Sequence, residues 1–258
     1  MTESLYQEAA QVFAGSLDIH RKDPSLTLTG IPVPGGLINH TFKINGSIVP
    51  ALLLQQINDH VFKSPVAVQE NYIRIWKYIH EKKLSLPLPE PVFYQNGHSI
   101  YQDRQGKYWR AFKFIEEGST RFIGTSPEEA WDTAQAFARF TAAFDQFKLE
   151  QLHRVIPDFH DLSFRFEQFK QYLGQASEER KQKAQDIIEE LLARVPYKNF
   201  YDRINNSPSE FILRVMHHDA KIANVLFHHQ TGKIICAVDF DTVMPGHYFS
   251  DLGDLIRS

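Results

Sequence analysis

A group of polar residues near the C-terminal end of the sequence has the types and the spacing that phosphoryl transfer needs. His217, Asp219 and Asn224 form the pattern H-x-D-x-x-x-x-N, and Asp239 and Asp241 follow after a further apolar run. Phosphoryl transfer needs a carboxylate at the acceptor hydroxyl and oxygen ligands that hold Mg²⁺ against the nucleotide phosphates. The spacing predicts Asp219 as the catalytic base and Asn224 and Asp239 as metal ligands, with Asp241 as the next metal candidate.

The same polar residues could also be ordinary turn residues beside a hairpin. Three fixed spacings and the flanking strand pattern agree here, so we favour the kinase-type interpretation. His217 belongs to the predicted catalytic loop, where we expect it to brace the loop rather than to act chemically.

The segments that must position these residues change in character near residue 118. Ser64 and Pro65 predict the start of a helix, and a further helix is predicted over residues 5–13. Short β-rich runs separated by turn residues predict an antiparallel sheet, with Asn45-Gly46 and Asn96-Gly97 as hairpin turns. The runs are 25–33, 37–44, 48–57, 92–94, 99–102 and 108–115.

The sequence after Gly118 is mostly helical in pattern. One helix is predicted to begin at Ser126, with Trp131, Phe137 and Phe144 in its buried stripe. Further helices are predicted over 163–173 and from Ser177 to Pro196, and short strands over 225–228 and 234–240. The order predicts an α+β fold of two lobes, 1–117 and 118–258, with a cleft between them.

Composition excludes several classes of protein. The 258 residues carry 28 Lys and Arg against 31 Asp and Glu, whereas proteins that bind nucleic acid usually carry a basic excess. The longest apolar run, 48–54, is too short to span a bilayer, and the N-terminus has no signal-peptide pattern. The single cysteine, Cys236, excludes an intramolecular disulfide. We therefore expect a soluble, cytoplasmic protein whose partners include neither nucleic acid nor membrane; its oligomeric state stays open.

The catalytic loop resembles that of the aminoglycoside phosphotransferases and choline kinases, the small-molecule branch of the protein-kinase fold. Stretches similar to the N-acetylhexosamine 1-kinases of this family cover nearly the whole chain: 36–42, 54–58, 109–116, 159–161, 165–170, 238–246 and 251–257. The resemblance implies a protein-kinase-like fold and ATP- and Mg²⁺-dependent phosphorylation of a sugar, at the anomeric hydroxyl of an N-acetylhexosamine. Leu37 departs from the sugar-kinase pattern, which has a histidine there.

The resemblance also implies a nucleotide site. Phe114, Ile115 and Glu116 would form the hinge whose backbone meets adenine, and Gln55 stands where protein kinases have a phosphate-binding lysine. Gly35 and Gly36 either cradle phosphates or form a plain turn between strands. Glu70 is a weaker candidate, as the analogue of the acid that pairs with that lysine.

Two functional alternatives remain open at this point. One is a kinase of choline, an aminoglycoside or another hydroxylated metabolite, and the other is a non-catalytic nucleotide- or sugar-binding module of kinase ancestry. Residues 251–257 predict the start of a helix, and the resembling sugar kinases continue beyond this point. We accordingly expect a partial enzyme, with an incomplete C-terminal lobe and exposed apolar faces on helices 126–146 and 177–195.

Overall fold

A computed structural model describes residues 3–17, 27–46 and 51–258 of the chain. An antiparallel sheet with helices occupies the N-terminal part, and helices with two small sheets follow, which confirms the predicted α+β class. The helices are α1 (Glu3–Ala14), α2 (Pro65–Glu81), α3 (Pro127–Ala143), α4 (Leu162–Gln175), α5 (Glu178–Lys183), α6 (Gln185–Ala193), α7 (Val195–Asn205) and α8 (Phe249–Arg257). The strands are β1 (Thr29–Pro32), β2 (His40–Asn45), β3 (Leu52–Ile57), β4 (Tyr101–Gln102), β5 (Tyr108–Lys113), β6 (Gly118–Ser119), β7 (Arg214–Met216), β8 (Val225–His228), β9 (Ile234–Ala237) and β10 (Met244–Gly246).

The N-terminal sheet has the strand order β1-β2-β3-β5-β4, and every neighbouring pair is antiparallel. Side chains alternate between the two faces of a strand. Phe42, Leu54 and Trp109 are buried on one face, in a core that includes residues of α1. The opposite face carries Gln55 and Arg110, which are register partners on β3 and β5. Through Arg110 this second face contacts Asp241 of the C-terminal part, and we call it the roof of the predicted cleft.

Helix α2 connects the sheet to the C-terminal part. The Ser64 hydroxyl accepts a hydrogen bond from the Ala67 N–H at 3.3 Å, so the predicted cap is present. Tyr72 of α2 is buried in a core that also contains Phe137 and Phe140 of α3. The same core contains catalytic-loop neighbours such as Ile222 and Phe240, so packing ties α2 to the predicted active site.

Helix α3 begins at the predicted cap, but its buried face differs from the predicted stripe. The Ser126 hydroxyl accepts from the Glu129 N–H, and Phe137 is buried. Trp131 is 69% exposed, so its assignment to the core was wrong. It precedes the buried Thr133 by two residues, which is about 200° around a helix and places it on the opposite side.

The single helix predicted from Ser177 to Pro196 is also wrong. Ser177 caps α5, the chain turns at Ala184, and Pro196 lies in the first turn of α7 instead of ending a helix. Proline is tolerated there because first-turn N–H groups have no intrahelical partner. Ile187, at 62%, and Leu192, at 41%, are exposed on α6, as we expected for this segment.

Several strand boundaries differ from the predicted runs. The run 37–44 forms a strand only from His40, and the run 92–94 contains only an isolated bridge at Tyr94. The strand predicted over 234–240 ends at Ala237. Parts of two further runs, residues 25–26 and 48–50, lie outside the described residues. Strands β2 and β3 are antiparallel neighbours, as a hairpin at Asn45-Gly46 requires.

The proposed division of the chain falls at the start of β6. This strand pairs with β8, which follows the catalytic loop. The boundary between 117 and 118 stays a prediction. Across residues 3–17, 27–46 and 51–258, every helix is too short or too polar to cross a membrane, and the cytoplasmic location stays a prediction.

Candidate active site

The backbone of the predicted catalytic loop is held by a buried carboxylate. Strand β7 ends at Met216, and the loop continues through His217 and His218 to Asp219. Asp251 of α8 accepts hydrogen bonds from the N–H groups of His217 and His218, at 2.9 and 2.7 Å. These two bonds fix the direction of the chain immediately before Asp219.

A left-handed residue turns this loop. His218 has φ 63°, which is uncommon for a residue with a side chain, and its imidazole lies against the backbone of Gly246. A Cβ at position 246 would overlap that ring, so this strand position requires glycine. Burial and the neighbouring His160 lower the pKa of His218 to about 3, which keeps the imidazole neutral at ordinary pH.

His217 lies entirely inside the protein. Its Nε2 is 3.0 Å from the Val238 carbonyl oxygen, and its ring packs against Phe137 and Phe240 with centroids 5.1 and 5.0 Å away. Burial lowers the pKa of this imidazole. The contacts favour the bracing role that we expected for His217 over a chemical role.

Asp219 is held by two side chains from its own loop. Its Oδ2 accepts from Asn224 Nδ2 and from Lys221 Nζ, both at 2.8 Å. Asn224 Nδ2 also donates to the Asp219 carbonyl oxygen at 2.8 Å. The Asn224 amide is thereby oriented, so that its oxygen is left to coordinate a cation.

Asp239 follows β9 in a left-handed conformation, with φ 63°. Desolvation by the surrounding protein and the negative charge of Asp241 raise the pKa of Asp239 to about 7, although part of its surface remains open to solvent. The charge of Asp219 also raises the pKa of Asp239, and the charge of Lys221 lowers it. The proposed base and the proposed metal ligand therefore influence each other's protonation.

Asp241 has both carboxylate oxygens engaged by protein groups. Oδ1 forms an ion pair with Arg110, and Oδ2 accepts from Asn39 Nδ2 at 2.6 Å. Both members of the ion pair are buried. Asn39 Oδ1 in turn accepts from the Asn58 N–H at 3.0 Å, which connects the loop before β2 to both lobes. These contacts favour Asp239 as the metal acid, and a metal role for Asp241 stays a prediction.

The glycine turn lies between β1 and β2, and its nearest neighbours include Phe122 and Asn39. Gly35 has φ 98°, which an L side chain rarely adopts, and a Cβ there would lie 2.9 Å from the Phe122 ring. A Cβ at Gly36 would lie 3.4 Å from the Asn39 carbonyl oxygen. The positive φ favours a glycine at position 35, and phosphate binding by this turn stays a prediction.

The predicted hinge follows β5. The Phe114 N–H donates to the Ala51 carbonyl at 2.8 Å, and the Ile115 carbonyl accepts from the Gly118 N–H at 3.2 Å. Lys43 of β2 lies 4.2 Å from the centre of the Phe114 ring and pairs with Glu116 at 2.6 Å. These contacts join the hinge to the roof of the cleft, where the base of a nucleotide is expected.

Gln55 and Glu70, the two positions compared with the kinase lysine–glutamate pair, do not meet. Gln55 Nε2 donates to Thr41 Oγ1 at 3.2 Å, and its Oε1 accepts from Arg110. Glu70 is exposed and pairs with Arg74 and His153, at 3.1 and 2.6 Å. The interpretation of Glu70 as the analogue of the kinase acid was therefore wrong.

Sequence reasoning missed four residues that shape this site. Lys221 stands two residues after Asp219, and the D-x-K spacing was the signal that could have found it. Arg110, Asn39 and Asp251 gave no local signal, because their partners are far away in sequence.

The fold and part of the sequence match known proteins. A structure of spectinomycin phosphotransferase bound to AMP aligns with a TM-score of 0.57 at 14% identity, over 97% of this chain and 73% of that one. An amicoumacin kinase bound to AMP-PNP and Ca²⁺ aligns with a TM-score of 0.59 at 12% identity, over 98% of this chain and 67% of the kinase. A microcompartment-associated aminopropanol kinase aligns with a TM-score of 0.59 at 14% identity, over 96% of this chain and 73% of the kinase.

These similarities to solved structures show a shared fold. The sequence itself matches the model of the phosphotransferase enzyme family over residues 29–258. That match includes the predicted catalytic loop, all three metal candidates and the roof of the cleft. The chain therefore belongs to the phosphotransferase enzyme family and has a protein-kinase-like fold.

Proposed function

We propose that this chain transfers the γ-phosphate of Mg-ATP to a sugar hydroxyl, with the anomeric hydroxyl of an N-acetylhexosamine as the first candidate. The observation that carries the proposal is the arrangement around Asp219. Its Oδ2 is held by Asn224 and Lys221 at 2.8 Å, and its charge also acts on the Asp239 carboxylate. This arrangement provides a base, a cation and two oxygen ligands in one loop and the following turn.

The donor set suits Mg²⁺. Asn224 and Asp239 supply an amide oxygen and a carboxylate, and Mg²⁺ is usually held by one or two protein oxygens together with substrate phosphates. A bound Mg²⁺ would neutralise charge on the nucleotide phosphates. Its charge would also favour the ionised form of Asp239, whose pKa the protein raises to about 7.

The contacts of Asp219 support its proposed role as the base. Lys221 and Asn224 both donate to Oδ2, so Oδ1 is the oxygen that remains to take the proton of an acceptor hydroxyl. The Lys221 ammonium can offset negative charge on the phosphoryl group during transfer. Asp251 holds the loop backbone immediately before Asp219. The Asp219 carboxylate is thereby kept in one orientation toward the acceptor hydroxyl.

The choice of a hexosamine rests on the resemblance of the segment 238–246 and of the other stretches to sugar kinases. One observation favours the alternative of an amino-alcohol or aminoglycoside. The carboxylates of Asp219, Asp251 and Asp254 all act on His160, beside the catalytic loop, and such negative charge would suit a cationic acceptor.

A panel of acceptors decides between these functions. We would incubate the protein with Mg-ATP and N-acetylglucosamine, N-acetylgalactosamine, choline, ethanolamine or an aminoglycoside, and follow phosphate by phosphorus NMR. Coupling of the product phosphorus to the anomeric proton would support the hexosamine proposal. Transfer to an amino-alcohol alone would exclude a sugar acceptor. Nucleotide binding without transfer to any compound would favour the non-catalytic alternative.

A further inference from the structure

The roof of the cleft contains a buried cation. Arg110, on β5, is 2% exposed and lies opposite Gln55 of β3 in the strand register. Protein kinases carry the lysine that pairs with the α- and β-phosphates on the third strand. Position 55 here is an amide, so the roof has its positive charge on the neighbouring strand instead.

The surrounding contacts hold the Arg110 guanidinium in one orientation. Its Nε donates to Gln55 Oε1 at 3.1 Å, and its Nη2 donates to Asp241 Oδ1. Asn39 holds the other carboxylate oxygen of Asp241 at 2.6 Å. Nη1, which carries two further N–H donors, makes no hydrogen bond to the described residues and remains to bind an anion.

Arg110 and Asp241 provide a cation and a carboxylate, as the lysine and glutamate do in protein kinases, but from other positions in the chain. The helix acid Glu70 is occupied by Arg74 and His153 at the surface. A buried ion pair is expensive to desolvate and is weak evidence for a role in stability. Arg110 and Asp241 are 2% and 3% exposed, and the pair bridges the roof of the cleft and the metal segment. In protein kinases the nucleotide phosphates lie between the strand that carries the lysine and the metal-binding segment.

We propose that Arg110 binds the phosphates of the nucleotide in place of the missing lysine, and that Asp241 orients it in place of the helix glutamate. This inference rests on the proposed use of ATP. Under it, Asp241 is an ion-pair partner and Asp239 alone supplies the metal carboxylate. Nη1 carries two N–H donors, so it can contact two phosphate oxygens while Nε and Nη2 keep their partners in the protein.

Binding of Mg-ADP and of adenosine, measured by calorimetry, tests the assignment, because adenosine lacks the phosphates. We expect Arg110→Gln to weaken Mg-ADP binding about 10- to 100-fold, the usual worth of a charged hydrogen bond. Its affinity for adenosine should stay within about threefold of wild type. Arg74→Gln is the matched control, since it removes a surface arginine of another ion pair, and it should change neither affinity.

An unchanged affinity of Arg110→Gln for Mg-ADP would overturn the inference. Equal losses for Mg-ADP and adenosine would also overturn it, because they would show general damage to the cleft. A wild-type protein that binds neither ligand would overturn both this inference and the proposed function. If the wild type binds Mg-ADP but phosphorylates no acceptor, only the proposed function fails, and the binding comparison still decides the role of Arg110.

Removing one partner of a buried pair leaves an unpaired charge and can unfold the protein. The double variant Arg110→Gln, Asp241→Asn removes both charges and avoids that problem. We expect this variant to melt close to wild type and still to bind Mg-ADP at least about tenfold more weakly. Recovery of wild-type affinity in the double variant would show that Arg110 serves only to neutralise Asp241, and would overturn the inference.

Discussion

The imidazole of His218 is expected to make the stability of the fold depend on pH. It is buried against Gly246, and burial and the neighbouring His160 lower its pKa from the usual 6.5 to about 3. A histidine whose pKa is lowered on folding contributes stability above its unfolded pKa, and this contribution is lost as the pH falls below that value.

The size of the loss follows from the shift. Between pH 6.5 and pH 5 the unfolded chain binds a proton at His218 that the folded chain does not bind. Each pH unit costs about 1.4 kcal/mol, so about 2 kcal/mol of unfolding free energy should be lost by pH 5. Asp239 and Asp251 act in the opposite direction, since their raised pKa values make the folded chain bind protons more readily as the pH falls.

The comparison of wild type with His218→Asn isolates the histidine from these carboxylates. Asparagine does not titrate, and it tolerates the left-handed backbone at position 218 better than most residues. Urea unfolding at pH 7.5 and pH 5 should show a pH-dependent loss that is about 2 kcal/mol smaller in the variant. Equal losses in the two proteins would refute the assignment of a buried, neutral imidazole.

Two further predictions concern the same part of the molecule. Asp239→Ala should raise the Mg²⁺ concentration needed for half-maximal turnover at least about tenfold, because a charged oxygen ligand is lost; an unchanged Mg²⁺ titration would exclude Asp239 as a ligand. Gly246→Ala should lower the unfolding free energy by about 1–3 kcal/mol, because the added Cβ overlaps the His218 ring. The His218→Asn background should relieve most of that cost in chemical denaturation, and additive losses would contradict the proposed overlap.

Features that depend on neighbouring residues could be predicted from the sequence. The caps at Ser64 and Ser126 act within three residues, and the Asp219–Asn224 contact spans five residues of one loop. Strands β2, β3 and β5 were also predicted, because β-rich runs between turn residues are a local pattern. These signals were sufficient for the fold class and for the candidate catalytic loop.

Features that depend on long-range packing could not be predicted in this way. Arg110 and Asn39 meet Asp241 from 131 and 202 residues away, and an isolated arginine in a strand gives no sign of such a partner. The spacing of apolar residues in α3 indicated a helix but not how wide its buried face is. Trp131 was therefore assigned to the core, although it is exposed. Pro196 is compatible both with the end of one helix and with the first turn of the next.

The most direct test of the account is acceptor-dependent phosphate transfer by wild type and by Asp219→Asn. The variant keeps the shape of the side chain but removes the base, so it should bind Mg-ADP almost as tightly as wild type. Its rate of acceptor phosphorylation should fall at least about 100-fold, the lower end of what general-base catalysis contributes. Wild-type turnover by the folded Asp219→Asn protein, on any acceptor that the wild type phosphorylates, would contradict the account.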